Sequence, residues 1–281
     1  MNGPAVGQAP AARQLETTSA PTPVPAADVP TRALEYRPGV VLAGYAERER
    51  VIGPWGTSRL YAPGATGTSS AQIRFTVFTS ISDDMAPKVA NAPVGDRTTV
   101  GGATAAWFGD NLYWNVAPGR VLSVCLENVT GVDVRAEARR IADSVVADTA
   151  TTRVPFSLNE YPYVEVKGTT PADWTISGTS DLDNVRYEVE LLRTDEVPAG
   201  STPTTVAGKP AHYTADGFGL LAVQLAPGFQ VRVKPQEFKN VGGKPVPPHL
   251  ETEHAPVETL VRVATALKVD TDPDVAWIGR P

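Results

Sequence analysis

The stretch Ile73-Arg74-Phe75-Thr76-Val77 occurs a second time as Val185-Arg186-Tyr187-Glu188-Val189, starting at 73 and again at 185. Apolar residues at every second position mark a strand with one buried face. The signals around this strand also recur in order. Gly67-Thr68-Ser69 answers to Gly178-Thr179-Ser180, and Thr98-Thr99-Val100-Gly101-Gly102 to Thr204-Thr205-Val206-Ala207-Gly208. Ala117-Pro118-Gly119 answers to Ala226-Pro227-Gly228, each leading into an apolar strand. Each copy then ends in a helical pattern, near Glu137 and near Glu258. The spacing between matched signals drifts by a few residues, as loop insertions produce. The repeat predicts an α+β chain of two tandem β-rich modules. Each is expected to be an antiparallel sheet closed by a C-terminal helix, over residues 34–148 and 154–268. Residues 149–153 read as a connector and 269–281 as a tail.

Composition agrees with a strand-and-turn fold, with 24 Gly and 26 Pro among 281 residues. The net charge is −6 and no Lys/Arg run stands out, so nucleic acid is not an expected partner. Cys125 is the sole cysteine, which excludes an intrachain disulfide. Its place in an alternating strand reads as a small buried hydrophobe. No apolar run approaches the ~20 residues that span a bilayer, and no charged-then-apolar signal segment stands at Met1. Residues 1–33 are rich in Ala, Pro and Thr, including Pro21-Thr22-Pro23-Val24-Pro25, and read as a disordered linker. Such a spacer commonly separates a folded module from an anchor. A membrane tether upstream of Met1 would make the chain extracytoplasmic or cell-surface; without one it would be cytoplasmic.

Along the chain, Glu47-Arg48-Glu49-Arg50 reads as a solvated charge run. Residues 72–82 read as one amphipathic strand, and Asp83-Asp84 at its end as turn formers rather than an acid–base pair. The next hairpin, Ala103–Asn115, turns at Gly109-Asp110-Asn111 and carries Trp107, Phe108, Tyr113 and Trp114. Alternate aromatics would fill the core, and the outward ones would form a ligand or partner patch. The second copy has His212-Tyr213 and Gly217-Phe218-Gly219-Leu220 instead. Asp133 is the expected N-cap of a helix whose apolar stripe is Val134, Ala138, Ile141, Ala142 and Val145.

The densest set of metal-type ligands is His249, Glu251, Glu253 and His254. The two histidines are five positions apart, not four, and Pro247-Pro248 and Pro256 bracket the segment. An extended segment would put His249, Glu251 and Glu253 on one face and His254 on the other. A charged loop is the expectation, with no metal and no cofactor. No Gly-x-Ser-x-Gly, Walker-type loop or Gly-x-Gly-x-x-Gly after a strand is present.

Val100, Gly102, Ala105, Trp114 and the run Glu137-Ala138-Arg139-Arg140-Ile141-Ala142 carry a resemblance. This pattern resembles a small extracytoplasmic domain of Gram-positive, actinobacterial chains of anti-sigma-factor-like or lipoprotein-like type. It covers about 50 residues of the first copy and less of the second, which departs at Tyr213 and in its Pro/Gly insertion. The resemblance implies a secreted or anchored sensory or binding module without catalysis, and transfers no site residues. The leading expectation is therefore a non-catalytic extracytoplasmic binding or sensing module, for an unknown protein or small ligand. A structural or assembly protein is the second reading, and a metal-dependent hydrolase the third.

Overall fold

The computed structural model describes residues 30–67, 70–79, 82–158, 163–182, 185–215, 217–236 and 255–281. In the first copy the elements run β1 (Thr31–Arg37), β2 (Ala46–Gly53), β3 (Gly56–Ala62), β4 (Gln72–Phe78) and α1 (Ser82–Ala90). They continue through β5 (Arg97–Val100), β6 (Ala103–Phe108), β7 (Asn111–Ala117), β8 (Arg120–Glu127), α2 (Val134–Asp143) and β9 (Val146–Arg153). The second copy runs β10 (Phe156–Ser157), β11 (Tyr163–Thr170), β12 (Asp173–Leu182), β13 (Val185–Leu192) and β14 (Thr202–Val206). It ends with β15 (Lys209–Thr214), β16 (Leu220–Ala226), β17 (Phe229–Pro235), α3 (Val257–Ala266) and β18 (Lys268–Val269).

The repeated strands are β4 and β13. In β4, alternation sends Ile73, Phe75 and Val77 into the first core, and in β13 it sends Val185, Tyr187, Val189 and Leu191 into the second. Both strands lie in one 14-stranded sheet of order β14-β15-β16-β17-β13-β12-β11-β2-β3-β4-β8-β7-β6-β5. Read outward from the middle, each copy contributes its first, second, third, seventh, sixth, fifth and fourth sheet strand. The copies meet where β2 and β11 pair antiparallel, with Arg50 opposite Val166 and Ile52 opposite Val164. Outside the sheet, β1 pairs with β9 and β10 with β18, so each copy's leading strand meets the strand after its last helix.

This architecture overturns the α+β expectation of two modules, each with its own helix-closed antiparallel sheet. Among the described residues 53% are strand against 14% helix, and one sheet runs through both copies. The cause is the edge strand. A strand at a sheet edge leaves a row of backbone donors and acceptors unpaired, and β2 and β11 satisfy each other. Alternation tells which face of a strand is buried, not which strand lies beside it.

Helices α2 and α3 cover the same face of the sheet. Ala138, Ile141 and Ala142 of α2 pack with Phe75, Leu112 and Trp114, while Leu260, Val263 and Ala264 of α3 pack with Val189, Leu221 and Val231. The Asp133 carboxylate accepts from the Ala136 N–H at 3.1 Å and caps α2. Helix α1 lies on the opposite face, where Val89 packs with Ala106 and Val121. The sequence reading extended β4 through this region, but the strand ends at Phe78 and Asp84 sits in α1, not in a turn. Pro87 inside α1 hid it, since proline removes a helical donor.

Candidate functional site

The face of β2 and β3 that looks towards α2 breaks the apolar pattern. Tyr61 belongs to that core, and Arg59 follows it two residues away on the same face. Arg50 pairs with Arg59 across the strands, and Glu47 with Tyr61. Glu47, Arg50 and Arg59 are each no more than 6% exposed. The sequence reading put Glu47-Arg48-Glu49-Arg50 in solvent, and the fold corrects it. Pairing on both sides makes β2 an interior strand, and the C-terminal segment and β9 lie over this face, so these side chains have little access to water.

Buried charges must be paired, and these are. Arg50 donates from Nε to Glu47 Oε1 at 2.7 Å and from Nη2 to Glu47 Oε2 at 3.2 Å. Arg59 reaches Glu47 Oε2 from Nη1 at 3.5 Å and donates from Nη2 to Asp148 Oδ2 of β9. Burial pulls the Asp148 carboxyl upward, but the Ala150 N–H and the Arg59 guanidinium outweigh it and hold it below its ordinary range. Burial, with Glu47 close by, raises the Tyr61 hydroxyl well above its usual value, so it stays a neutral donor and acceptor.

The C-terminal segment closes one side of this group. The Arg50 guanidinium sits 4.2 Å from the centre of the Trp277 ring, a cation–π contact. The Glu47 N–H donates to Arg280 O at 2.6 Å and the Gly279 N–H to Glu47 O at 2.8 Å. The last turn of the second copy is thus strapped to the first strand of the first copy's sheet.

On the other side lies a cavity of about 490 Å³. Arg37, Tyr45, Glu47, Arg59, Tyr61 and Arg140 line it, together with the loop 38–44. Val41, Leu42 and Tyr45 anchor that loop on the first core. Its entry is pinned to the end of α2, where the Gly39 and Val40 N–H groups each donate to Ser144 Oγ at 3.1 Å. A Cβ on Gly39 would lie 2.5 Å from Ser144 O, so only glycine fits this approach. The cavity offers guanidinium groups, two phenols and an apolar rim, which is binding chemistry.

The aromatic residues expected to form a patch do not converge. Trp114 is 2% exposed in the core, with its ring centre 6.5 Å from that of Phe75. Trp107 is half-buried on the same face beneath the Arg135 guanidinium, 5.1 Å away. Phe108 and Tyr113 lie on the opposite face, edge to plane at 5.5 Å, and Tyr113 stacks on Phe78 at 6.1 Å. His249, Glu251, Glu253 and His254 lie outside the described residues. Among the described residues no group of three His, Cys, Asp or Glu side chains could hold a metal ion.

Two further side chains with reactive groups lie elsewhere. Cys125 is half-buried, and burial together with Glu127 pushes its thiol up to about 11. His212 Nδ1 is 3.5 Å from Ser201 Oγ, too long for an activated nucleophile. Among the described residues no carboxylate bonds to that imidazole.

No protein-family model, curated protein or solved structure matches the chain.

Proposed function

We propose that the chain is a non-catalytic binding or sensing module whose binding compartment is the cavity beside Glu47, Arg50, Arg59 and Asp148. One observation carries this reading, and the chain supplies its own control. The two copies share a strand order, yet the corresponding face of β11 and β12 is apolar and filled. Val164, Val166, Trp174 and Ile176 pack there with Trp277 and Ile278. The strands β11 and β12 carry no charge on this face, although the second copy also buries a carboxylate after its last helix, Asp270, paired with Arg153 at 3.0 Å. Buried ion pairs rarely stabilise more than apolar packing of the same volume, so stability does not account for the four charged side chains of the first copy. Selection of a polar ligand does. An extracytoplasmic location rests on the Ala/Pro/Thr-rich composition ahead of β1, which begins at Thr31 rather than after residue 33, and on the resemblance of the first copy.

Native mass spectrometry of gently purified protein tests the reading. A discrete added mass is expected, and its loss on replacing the four charged residues by apolar ones. A bare monomer mass under every gentle preparation would count against it.

An assembly role draws on a different place. Phe108 is 36% exposed beside a shallow groove of about 390 Å³ with Pro87 and Pro93. Val94, 83% exposed, lies one residue beyond that groove in sequence. A stable dimer that Phe108→Ser dissolves would favour this second reading, and a monomer at all concentrations would remove it.

A further inference from the structure

We infer that the cavity takes a small organic anion, a carboxylate or phosphate bearing a short apolar group. This rests on the binding reading above and adds the ligand's chemistry. The lining carries three arginines, Arg37, Arg59 and Arg140, and one carboxylate side chain, Glu47, with Pro281 beside them. Arg59 is matched by Asp148 and Glu47 and Arg140 by Glu137, so the attraction for an anion rests mainly on Arg37 and on the free edge of Arg140.

The three arginines have different parts. Arg59 is committed to Asp148 and Glu47, so it contributes field and rigidity rather than the first contact. Arg140 donates from Nε to Glu137 Oε2 at 2.6 Å and from Nη2 to Val41 O at 3.3 Å, and its Nη1 has no protein partner among the described residues. Arg37 ends β1 at the rim, exposed, and makes no ion pair among the described residues. Arg37 and Arg140 therefore present open donors to one compartment, the arrangement that suits a carboxylate or phosphate. The Tyr45 and Tyr61 hydroxyls add donors for a second polar group, and Val40, Val41 and Leu42 form the apolar wall for a short chain. A volume of about 490 Å³ suits a ligand of metabolite size.

The test titrates the full chain by calorimetry at constant ionic strength with sodium octanoate, sodium phosphate and octylammonium chloride. Saturable binding of octanoate is expected, with phosphate weaker and octylammonium absent. Arg37→Glu should weaken octanoate by at least about tenfold, and Arg140→Gln by a smaller factor. Arg193→Glu, on an exposed loop of the second copy, should bind as the native chain does. Arg37 is exposed and makes no ion pair among the described residues, but its charge helps hold the Asp148 carboxyl down, so its variant should melt slightly below the native protein, and octanoate binding is compared at a temperature where both are fully folded. No saturable binding of either anion, equal binding of octylammonium, or unchanged binding in Arg37→Glu would each overturn the inference. A neutral or cationic mass retained in native mass spectra would then leave the binding reading standing, while bare spectra with no anion binding would remove both.

Discussion

Two copies of one strand order meet at β2 and β11, and they fill the same side of the sheet with opposite materials. The second copy uses Val164, Val166, Trp174 and Ile176. The first uses Glu47, Arg50 and Arg59, with Asp148 supplied by the ribbon above. The other face differs as well. In the first copy Ala106 and Val121 lie under α1. Counted from the matching turns, their places in the second copy are held by His212 and Gln230, and no described helix covers them. The backbone plan tolerates either filling. What the copies share is therefore architecture, and where they differ is where function is sought.

The largest expected effect comes from breaking the ionic group without replacing it. Arg59→Met leaves the buried Glu47 and the half-buried Asp148 with fewer partners and should cost about 3–5 kcal/mol, read from urea unfolding midpoints. A cost below about 1 kcal/mol would mean the group is wetter than its burial implies. Next, Glu47→Val, Arg50→Val, Arg59→Leu and Asp148→Val together make the first copy resemble the second. That variant should be as stable as the native chain or gain up to about 4 kcal/mol, while losing any bound mass. A large loss of stability would show that the charges are structural and would break the comparison.

A smaller contrast probes the other face. Val89→Ala, under α1, should cost about 1–3 kcal/mol. Arg232→Ala, on the helix-free face of the second copy where its Nε donates to Gln230 Oε1 at 2.8 Å, should stay within about 1 kcal/mol. Equal costs would mean that this face is packed as tightly as the one under α1.

The smallest effect concerns Glu49 of β2, on the face away from α2. Burial, then Glu165, raises its carboxyl above the ordinary range, against Arg74, Lys167 and Thr66, which lower it. A carboxyl raised by folding stabilises fully when protonated and loses that contribution as pH climbs through its folded value. Glu49→Gln should therefore melt higher than the native chain at pH 7, with the gap closing as pH falls through the carboxylate range. A gap that widens on acidification would show the charged form to be the favoured one.

Much of the fold was written locally. The alternation of β4 and β13, the Pro-Gly turns and the Asp133 cap each state a requirement of their own few residues. What the sequence hid was long-range. Nothing local says that β2 lies beside β11, or that the C-terminal segment and β9 cover its face, and together these turned Glu47-Arg48-Glu49-Arg50 from a solvated run into buried chemistry. One signal was present: β11 alternates Val164-Glu165-Val166, whereas 47–50 are all charged. A strand charged on both faces is either irregular or surrounded by partners. The aromatic hairpin misled for a related reason. Neighbouring aromatics in sequence point to opposite faces, so Trp114 and Tyr113 never share a surface.

The seam between the copies also sets a clock. The last residues of β2 and β11 lie at 53 and 170, 117 positions apart. At ~5–20 residues per second of synthesis, the edge of β2 waits about 6–23 s for its partner to emerge. During that interval the nascent first copy carries an open strand, the kind of edge that recruits other chains. The register shift in β2 between Glu47 and Glu49, against β3, and the charges of Arg48 and Glu49 are features of the kind that discourage such recruitment. A strand that ends its life in the middle of a sheet is thus dressed as an edge, because for its first seconds it is one.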